Sequence, residues 1–151
     1  MIDYLFGSLS YDEIYQFLLD TDTAFQTPLS NKVNLEEYAR KLSTFSMFSY
    51  CRDEGSIVGL ISCYMNYPPE AYISNVCVQP YYRNKGLFKK MLEVLIKQLE
   101  QTAFTSIRLE VSDDNVLAQI VYKKSGFVPI GRASYNSQYL VLNLVGYNDD
   151  E

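Results

Sequence analysis

Val76-Cys77-Val78-Gln79-Pro80-Tyr81-Tyr82-Arg83-Asn84-Lys85-Gly86-Leu87-Phe88 is the stretch on which the fold turns. A β-branched run stops at Pro80, a basic turn follows, and Leu87, Met91, Leu92, Leu95 and Leu99 then recur at helical spacing. The reading is strand, turn, helix. The first N–H groups of a helix lack intrahelical partners and sit at the positive end of the macrodipole, so a helix start attracts anions. Gly86 lets the backbone approach a phosphate closely, and Arg83 and Lys85 add full positive charge. The plain alternative is an ordinary connection with solvated cations, and one glycine in a basic turn does not choose between them.

Outward from this stretch the chain divides into short elements without repeats, low-complexity tracts or linkers. Ile2–Phe6 is a first strand. Ser10-x-x-Glu13 and Asn34-x-x-Glu37 are capping boxes, opening a helix with Ile14, Phe17 and Leu18 on one face and a second helix through about Phe45. Residues 21–34 between them are a polar loop. Phe48–Arg52 and Ser56–Met65 read as an antiparallel pair turning at Asp53-Glu54-Gly55. Pro68 and Pro69 precede the strand Ala71–Gln79, and the helix after Gly86 runs to about Gln101. Then come the strand Ser106–Ser112, a helix over Asn115–Lys124, and two closing strands near Phe127–Ala133 and Gln138–Val145. The order is βααβββαβαββ, an α/β fold with a mixed central sheet of about seven strands and helices on both faces.

Composition fits one domain over residues 1–151. The chain has 151 residues, 48% hydrophobic and 21% charged, enough for a full core but short for two domains. No apolar run reaches membrane-span length, and the opening Met-Ile-Asp-Tyr lacks the basic region of a signal peptide. Cys51, Cys63 and Cys77 all fall in strands and cannot all pair, so reduced thiols in a cytoplasmic protein are expected. There is no histidine. That removes Ser-His-Asp and Cys-His nucleophile systems and most zinc sites. A net charge of −5 argues against nucleic acid as a partner. Yet five of the 13 basic residues (Arg83, Lys85, Lys89, Lys90 and Lys97) lie close together in the central turn and helix. One local basic patch on an acidic protein suits a small phosphorylated ligand.

A second motif lies further on: Asn115, Ala118, Tyr122, Gly126 and Phe127, within a strand, polar turn, short helix and glycine stop over residues 107–127. With Arg83-Asn84-Lys85-Gly86-Leu87-Phe88 it resembles the GNAT N-acetyltransferases. These carry a pyrophosphate turn Arg/Gln-x-x-Gly-x-Gly/Ala and then Asn-x-x-Ala-x-x-x-Tyr-x-x-x-Gly-Phe. The resemblance covers roughly residues 55–145 and matches the element order elsewhere. It implies acetyl-CoA as co-substrate, no metal, and a turn of Arg83, Asn84, Lys85, Gly86, Leu87, Phe88 and Lys89 around the pyrophosphate. Phe88 departs from the small residue of the pattern, and the side chain either packs inward or crowds the phosphate.

Aminolysis of a thioester needs no nucleophilic residue. It needs two reactants held together, a proton removed from the amine, charge stabilised on the carbonyl oxygen, and a proton for the departing thiolate. A chain without histidine can do this. The resemblance implies that the Tyr122 hydroxyl serves the sulfur, that Asn115 contacts the pantetheine arm as well as capping its helix, and that Val76, Cys77 and Val78 act through their backbone where their strand splays from the next. Cys77 then packs and does not attack. Period-2 alternation puts Ile107, Leu109 and Val111 on one face of a strand and Arg108 and Glu110 on the other. Glu110 looks like the general base of the ribosomal-protein N-terminal alanine acetyltransferases; a surface or cross-strand salt bridge is the alternative.

The expected acceptor is a primary amine, small molecule or protein, framed by the loop Asp20–Asn34 and the hairpin near Ser134–Gln138. Asp20, Asp22, Tyr64, Tyr67 and Tyr135 are candidates to receive it, and acidic and aromatic groups favour a cation. A homodimer is left open. Two rivals stand beside the enzyme: a non-catalytic acyl-CoA-binding sensor of the same fold, and an unrelated nucleotide module. The second wants a glycine-rich turn after the first strand, which Phe6-Gly7-Ser8 does not supply.

Overall fold

Seven strands form one sheet in the order β1-β2-β3-β4-β5-β7-β6. They are β1 Ile2–Gly7, β2 Ser46–Asp53, β3 Ser56–Tyr64, β4 Glu70–Val78, β5 Ser106–Ser112, β6 Val128–Ser134 and β7 Ser137–Asn143. The helices are α1 Tyr11–Thr21, α2 Leu35–Phe45, α3 Leu87–Glu100 and α4 Val116–Lys124. The computed structural model describes residues 1–22 and 28–145. The expected polar loop over residues 21–34 therefore lies partly outside the described residues, at 23–27; Thr21 closes α1, and Leu29–Asn31 form a short 3-10 turn.

The expected element order is the observed one, and local chemistry explains most of its boundaries. Ser10, Asn34 and Asn115 each accept a backbone N–H three residues on, at 3.2, 3.0 and 3.2 Å, and so start α1, α2 and α4. Beside the Ser10 cap the Glu13 carboxylate accepts the Ser10 hydroxyl at 3.5 Å and Arg52 Nη2 of β2 at 2.6 Å. The β2–β3 hairpin turns through Glu54 and Gly55, both at positive φ (48° and 86°), as a tight two-residue turn requires.

Two cores sandwich the sheet. On one face α3 lays down Leu87, Met91, Leu92, Leu95, Ile96 and Leu99 against Val58, Ile61, Ile73, Ile107, Leu109 and Val111, with Ala118 and Tyr122 of α4 at the margin. Each such side chain contributes roughly 1.5–3 kcal/mol when fully buried, so the position of α3 is firmly set. Gly59 sits beneath α3 in tight quarters: a Cβ there would lie 3.1 Å from Cys51 Sγ and 3.2 Å from Met91 Cε. On the other face α1 and α2 bury Ile14, Phe17, Leu18, Ala39 and Leu42 against Phe48, Leu60 and Cys77. All three cysteines are buried free thiols.

Every strand pair is antiparallel except β4–β5. Parallel neighbours need a crossover, and α3 supplies it. Pairing along this seam runs only from Glu70↔Ser106 to Ile73↔Leu109. Beyond it β4 continues to Val78 and β5 to Ser112, and the two strands part. The cause is one extra residue. In the β3–β4 register Ser62 faces Asn75 and Cys63 faces Ile73, leaving Ser74 without an opposite number. Such a bulge bends its strand and increases the local twist. The Ser74 hydroxyl lies 2.6 Å from that of Ser62, and the Ser74 carbonyl accepts the Tyr38 hydroxyl at 3.3 Å. The bulge also exchanges faces. Ala71 and Ile73 belong to the α3 core, whereas Cys77 belongs to the α1/α2 core, and Val76 and Val78 turn to the α3 side.

Candidate active site

The opened seam organises the site. Over 74–78 the strand β4 keeps β3 as its strand neighbour, while its edge toward β5 has none. Val76, Cys77 and Val78 thus present backbone into the gap. One carbonyl there is used: Val78 O accepts Arg83 Nε at 3.3 Å, tying the basic turn to the strand end. Burial pushes the Cys77 thiol up from its ordinary value, so it stays neutral and a poor nucleophile.

The turn after β4 is a 3-10 turn, Pro80–Tyr82, followed by Asn84 and Gly86 in left-handed backbone conformations, φ 62° and 79°. Gly86 is the residue that starts α3, and no side chain caps the helix. The first-turn N–H groups, from Leu87 through Lys89, are not met by any capping side chain. A Cβ at Gly86 would meet no protein atom within 4 Å, yet its φ is one that L side chains rarely adopt. Lys85 Nζ stands 4.5 Å from the Tyr81 ring centroid, a cation–π contact that holds the ammonium beside the turn. The Tyr82 hydroxyl donates to Asp53 at 2.6 Å, anchoring the turn to the β2–β3 hairpin. That bond to a carboxylate, with burial, raises the Tyr82 pKa to about 12.

Phe88 points inward. Its ring meets Tyr122 edge-on, with centroids 5.6 Å apart, and Tyr122 in turn tilts against Phe127 at 5.9 Å. The departure from the small-residue pattern therefore fills the space between α3 and α4 and leaves the face of the turn clear. Tyr122 is half-buried at the edge of the α3 core, and burial pushes its hydroxyl up to about 12. The group stays protonated across the neutral range and is a donor. Asn115 caps α4 one element away, at the open end of β5.

Glu110 lies on the opposite face. Ile107, Leu109 and Val111 are buried in the α3 core, so Arg108, Glu110 and Ser112 look toward the α1/α2 side. Among the described residues Glu110 forms no ion pair, the alternative considered for it. Arg108 pairs with Glu70 at 3.0 Å, whereas Glu110 Oε2 accepts the Ser137 hydroxyl at 2.6 Å. Ser137 belongs to the β6–β7 hairpin, which is latched to the β5–α4 turn by a two-pronged Arg132–Asp113 ion pair (3.0 and 2.6 Å) and by Asp113 N–H to Asn136 O at 2.9 Å. Glu110 thus lies on the α1/α2 side of the sheet and Tyr122 on the α3 side.

Two clefts open on the Glu110 side. The first, about 310 Å³, is walled by Lys32, Ser74, Glu110, Asn136 and Ser137; the second, about 530 Å³, by Lys41, Phe45, Tyr64, Tyr67 and Glu70; Tyr72 belongs to both. Burial, then the nearby Glu110 charge, raises Tyr72 to about 12. Of the residues expected to receive an amine, Tyr64 and Tyr67 line the second cleft. Asp20, Asp22 and Tyr135 line neither. Asp20 accepts Gln16 Nε2 at 2.8 Å, and Asp22 accepts the Ser30 N–H and hydroxyl at 2.9 and 2.6 Å. The loop and the hairpin expected to frame the acceptor supply Lys32, Asn136 and Ser137 to the first cleft, whereas Tyr72, Ser74 and Lys41 had no expected role there. Only register and tertiary packing bring them to the seam, and no local motif marks them.

With this geometry in place, comparison with known proteins is direct. The sequence profile of the Acetyltransferase (GNAT) family matches residues 11–127, and the chain belongs to that family. The [Ribosomal protein bS18]-alanine N-acetyltransferase of Haemophilus ducreyi is 38% identical over 58 residues, covering 38% of this chain and 40% of that protein. The N-alpha-acetyltransferase 30 of Saccharomyces cerevisiae is 30% identical over 79 residues, 50% of this chain and 45% of the relative. These matches span less than half the length of either relative. The crystal structure of the ribosomal-protein-S18-alanine N-acetyltransferase from Escherichia coli has the same fold, with a TM-score of 0.75 at 21% identity over 99% of both chains. Among the described residues there is no group of three or more potential metal ligands, and no helix is long and apolar enough to cross a membrane.

Proposed function

We propose that the protein, as one catalytic domain over residues 1–151, is an acetyl-CoA-dependent N-acetyltransferase. It moves an acetyl group to a primary amine by direct attack with both substrates bound. The observation that carries this reading is the parted β4–β5 seam, with a carboxylate on one face and a protonated phenol on the other. The α-amine of a polypeptide is the acceptor class supported by the relatives, which are named for a ribosomal-protein alanine and for N-alpha acetylation.

The residues fit acetyl-CoA. The uncapped start of α3, with Arg83, Asn84, Lys85, Gly86, Leu87, Phe88 and Lys89, offers N–H donors and positive charge to a pyrophosphate. The free edge of Val76, Cys77 and Val78 offers strand-like hydrogen bonds to an arm bearing amides, and Asn115 adds a side-chain amide across the gap. Bound acetyl-CoA supplies an activated thioester. Glu110, its rotamer held by Ser137, takes the proton of the amine directly or through one water. A backbone N–H at the β4 edge supports the charge growing on the carbonyl oxygen. The Tyr122 hydroxyl gives its proton to the departing sulfur. Most of the acceleration comes from juxtaposing the reactants.

A panel of peptides and small amines with acetyl-CoA, followed by free-thiol release, tests the reading. Thiol release that requires a free amine supports it. Tight 1:1 CoA binding without turnover on any amine would make the protein an acyl-CoA-binding sensor instead.

A further inference from the structure

The charges around the two clefts do not suit a polycation. Glu70 is neutralised by Arg108 at 3.0 Å. Glu110 stands at the seam, and the acids Asp20 and Asp22 line neither cleft and accept hydrogen bonds from Gln16 and Ser30. The cations are less committed. Lys32 stands on the wall of the first cleft, and Lys41, with Nζ 5.7 Å from the Tyr64 ring centroid, stands on the wall of the second. Among the described residues neither lysine forms an ion pair. A protein of net charge −5 thus faces its acceptor with one carboxylate where the amine reacts and two cations on the way in. Phe45, Tyr64 and Tyr67 add an aromatic lining to the outer cleft.

We infer that the acceptor is the N-terminal α-amine of an acidic polypeptide, its amine at Glu110 and the carboxylates of its next residues at Lys32 and Lys41. The inference rests on the proposed acetyltransferase reading, because it names the acceptor of that same site. An extended chain advances roughly 3.3 Å per residue, and the two clefts are neighbours with Tyr72 as a common wall, so a bound chain of a few residues would meet both. A free amino acid would use the first cleft alone. Polyamines and aminoglycosides would bring further positive charge against both lysines.

The test compares peptides with a free N-terminal alanine followed by two glutamates or by two lysines, alongside spermidine and free glutamate. Two readouts run in parallel: thiol release with acetyl-CoA, and fluorescence anisotropy of the same peptides, labelled at the C-terminus, on the CoA-loaded protein. The acidic peptide should be preferred about tenfold at low salt, mainly through KM, and the gap should narrow as salt is added. The double variant Lys32→Glu/Lys41→Glu should reverse the order. Lys32→Ala/Lys41→Ala should abolish the preference, with CoA affinity and thermal midpoint as checks on folding. Equal use of both peptides, preference for the lysine peptide or spermidine, better use of free glutamate, or an unchanged order in folded variants would overturn the inference. Charge-selective binding without acetylation would sink the catalytic reading and the acceptor named here with it, leaving a charge-selective peptide site, whereas acetylation without charge preference would overturn this inference alone.

Discussion

The lower and upper halves of the β4–β5 seam are made by the same two strands and serve opposite ends. From Glu70 to Ile73 the strands are paired in register, flanked by the Arg108–Glu70 ion pair, and backed by the buried Ala71, Ile73, Ile107 and Leu109. From Ser74 onward they separate, leaving a backbone edge, Glu110 on one face and Tyr122 on the other. The lower half holds the sheet together. The upper half leaves hydrogen-bonding capacity unspent, and that capacity is what a ligand can use. One inserted residue separates the two regimes.

The largest effect is expected from Tyr122→Phe, which keeps the ring against Phe88 and Phe127 and removes only the hydroxyl. General acid catalysis contributes roughly 100- to 10,000-fold, so turnover should fall by that order while calorimetric CoA affinity barely moves. Wild-type turnover, with chemistry shown to limit the rate, would return Tyr122 to a packing role. The pH profile adds a sign. An acid must be protonated to work, and burial raises this one to about 12. Activity that depends on it should therefore survive to higher pH than an ordinary tyrosine near ~10 would allow.

Gly86→Glu should come next, acting on affinity more than on turnover. It forces an L side chain into a left-handed conformation and puts negative charge at the uncapped start of α3, so CoA binding should weaken roughly 100-fold. Unchanged affinity in a folded protein would remove the turn from the cofactor site. Glu110→Gln should lower turnover most near neutrality, where the amine is mostly protonated, and progressively less as rising pH deprotonates the amine unaided. A rate ratio that does not change with pH would reject the base assignment. Smallest of all should be Glu70→Gln in the lower half. The pair it breaks is partly exposed, with side chains 34% and 38% accessible, and such pairs contribute about 0.2–1 kcal/mol. The thermal midpoint should drop slightly, with CoA affinity unchanged.

These predictions draw on residues of differing legibility. Helix starts were readable because Ser10, Asn34 and Asn115 act within three residues of themselves, and Gly86 because its motif is contiguous. The face occupied by Glu110 followed from plain alternation in β5. The acceptor side was readable only as its two framing segments: Lys32 and Ser137 fall within them, but Lys41 and Tyr72 come from elsewhere, and only the folded sheet assembles the four. Asp20 and Asp22 were misleading for a related reason: a carboxylate in a sequence does not announce that a neighbouring serine or glutamine will claim it. The bulge itself was invisible. Burial alternates through Ala71, Ile73, Asn75 and Cys77 without a break, so the pattern looks like one uninterrupted strand although the buried residues change sides halfway along.

That change of sides gives β4 an unusual intolerance to length. Loss of a single residue at Ser74 would leave hydrophobic content and alternation almost untouched. It would nevertheless rotate Asn75 through Val78 half a turn, sending Val76 and Val78 toward α1 and α2, and Cys77 toward α3. Point substitutions along β4 should therefore be graded in severity, whereas a one-residue frame change at Ser74 is all-or-none, and lineages of this chain are expected to vary here in residue identity but not in residue number.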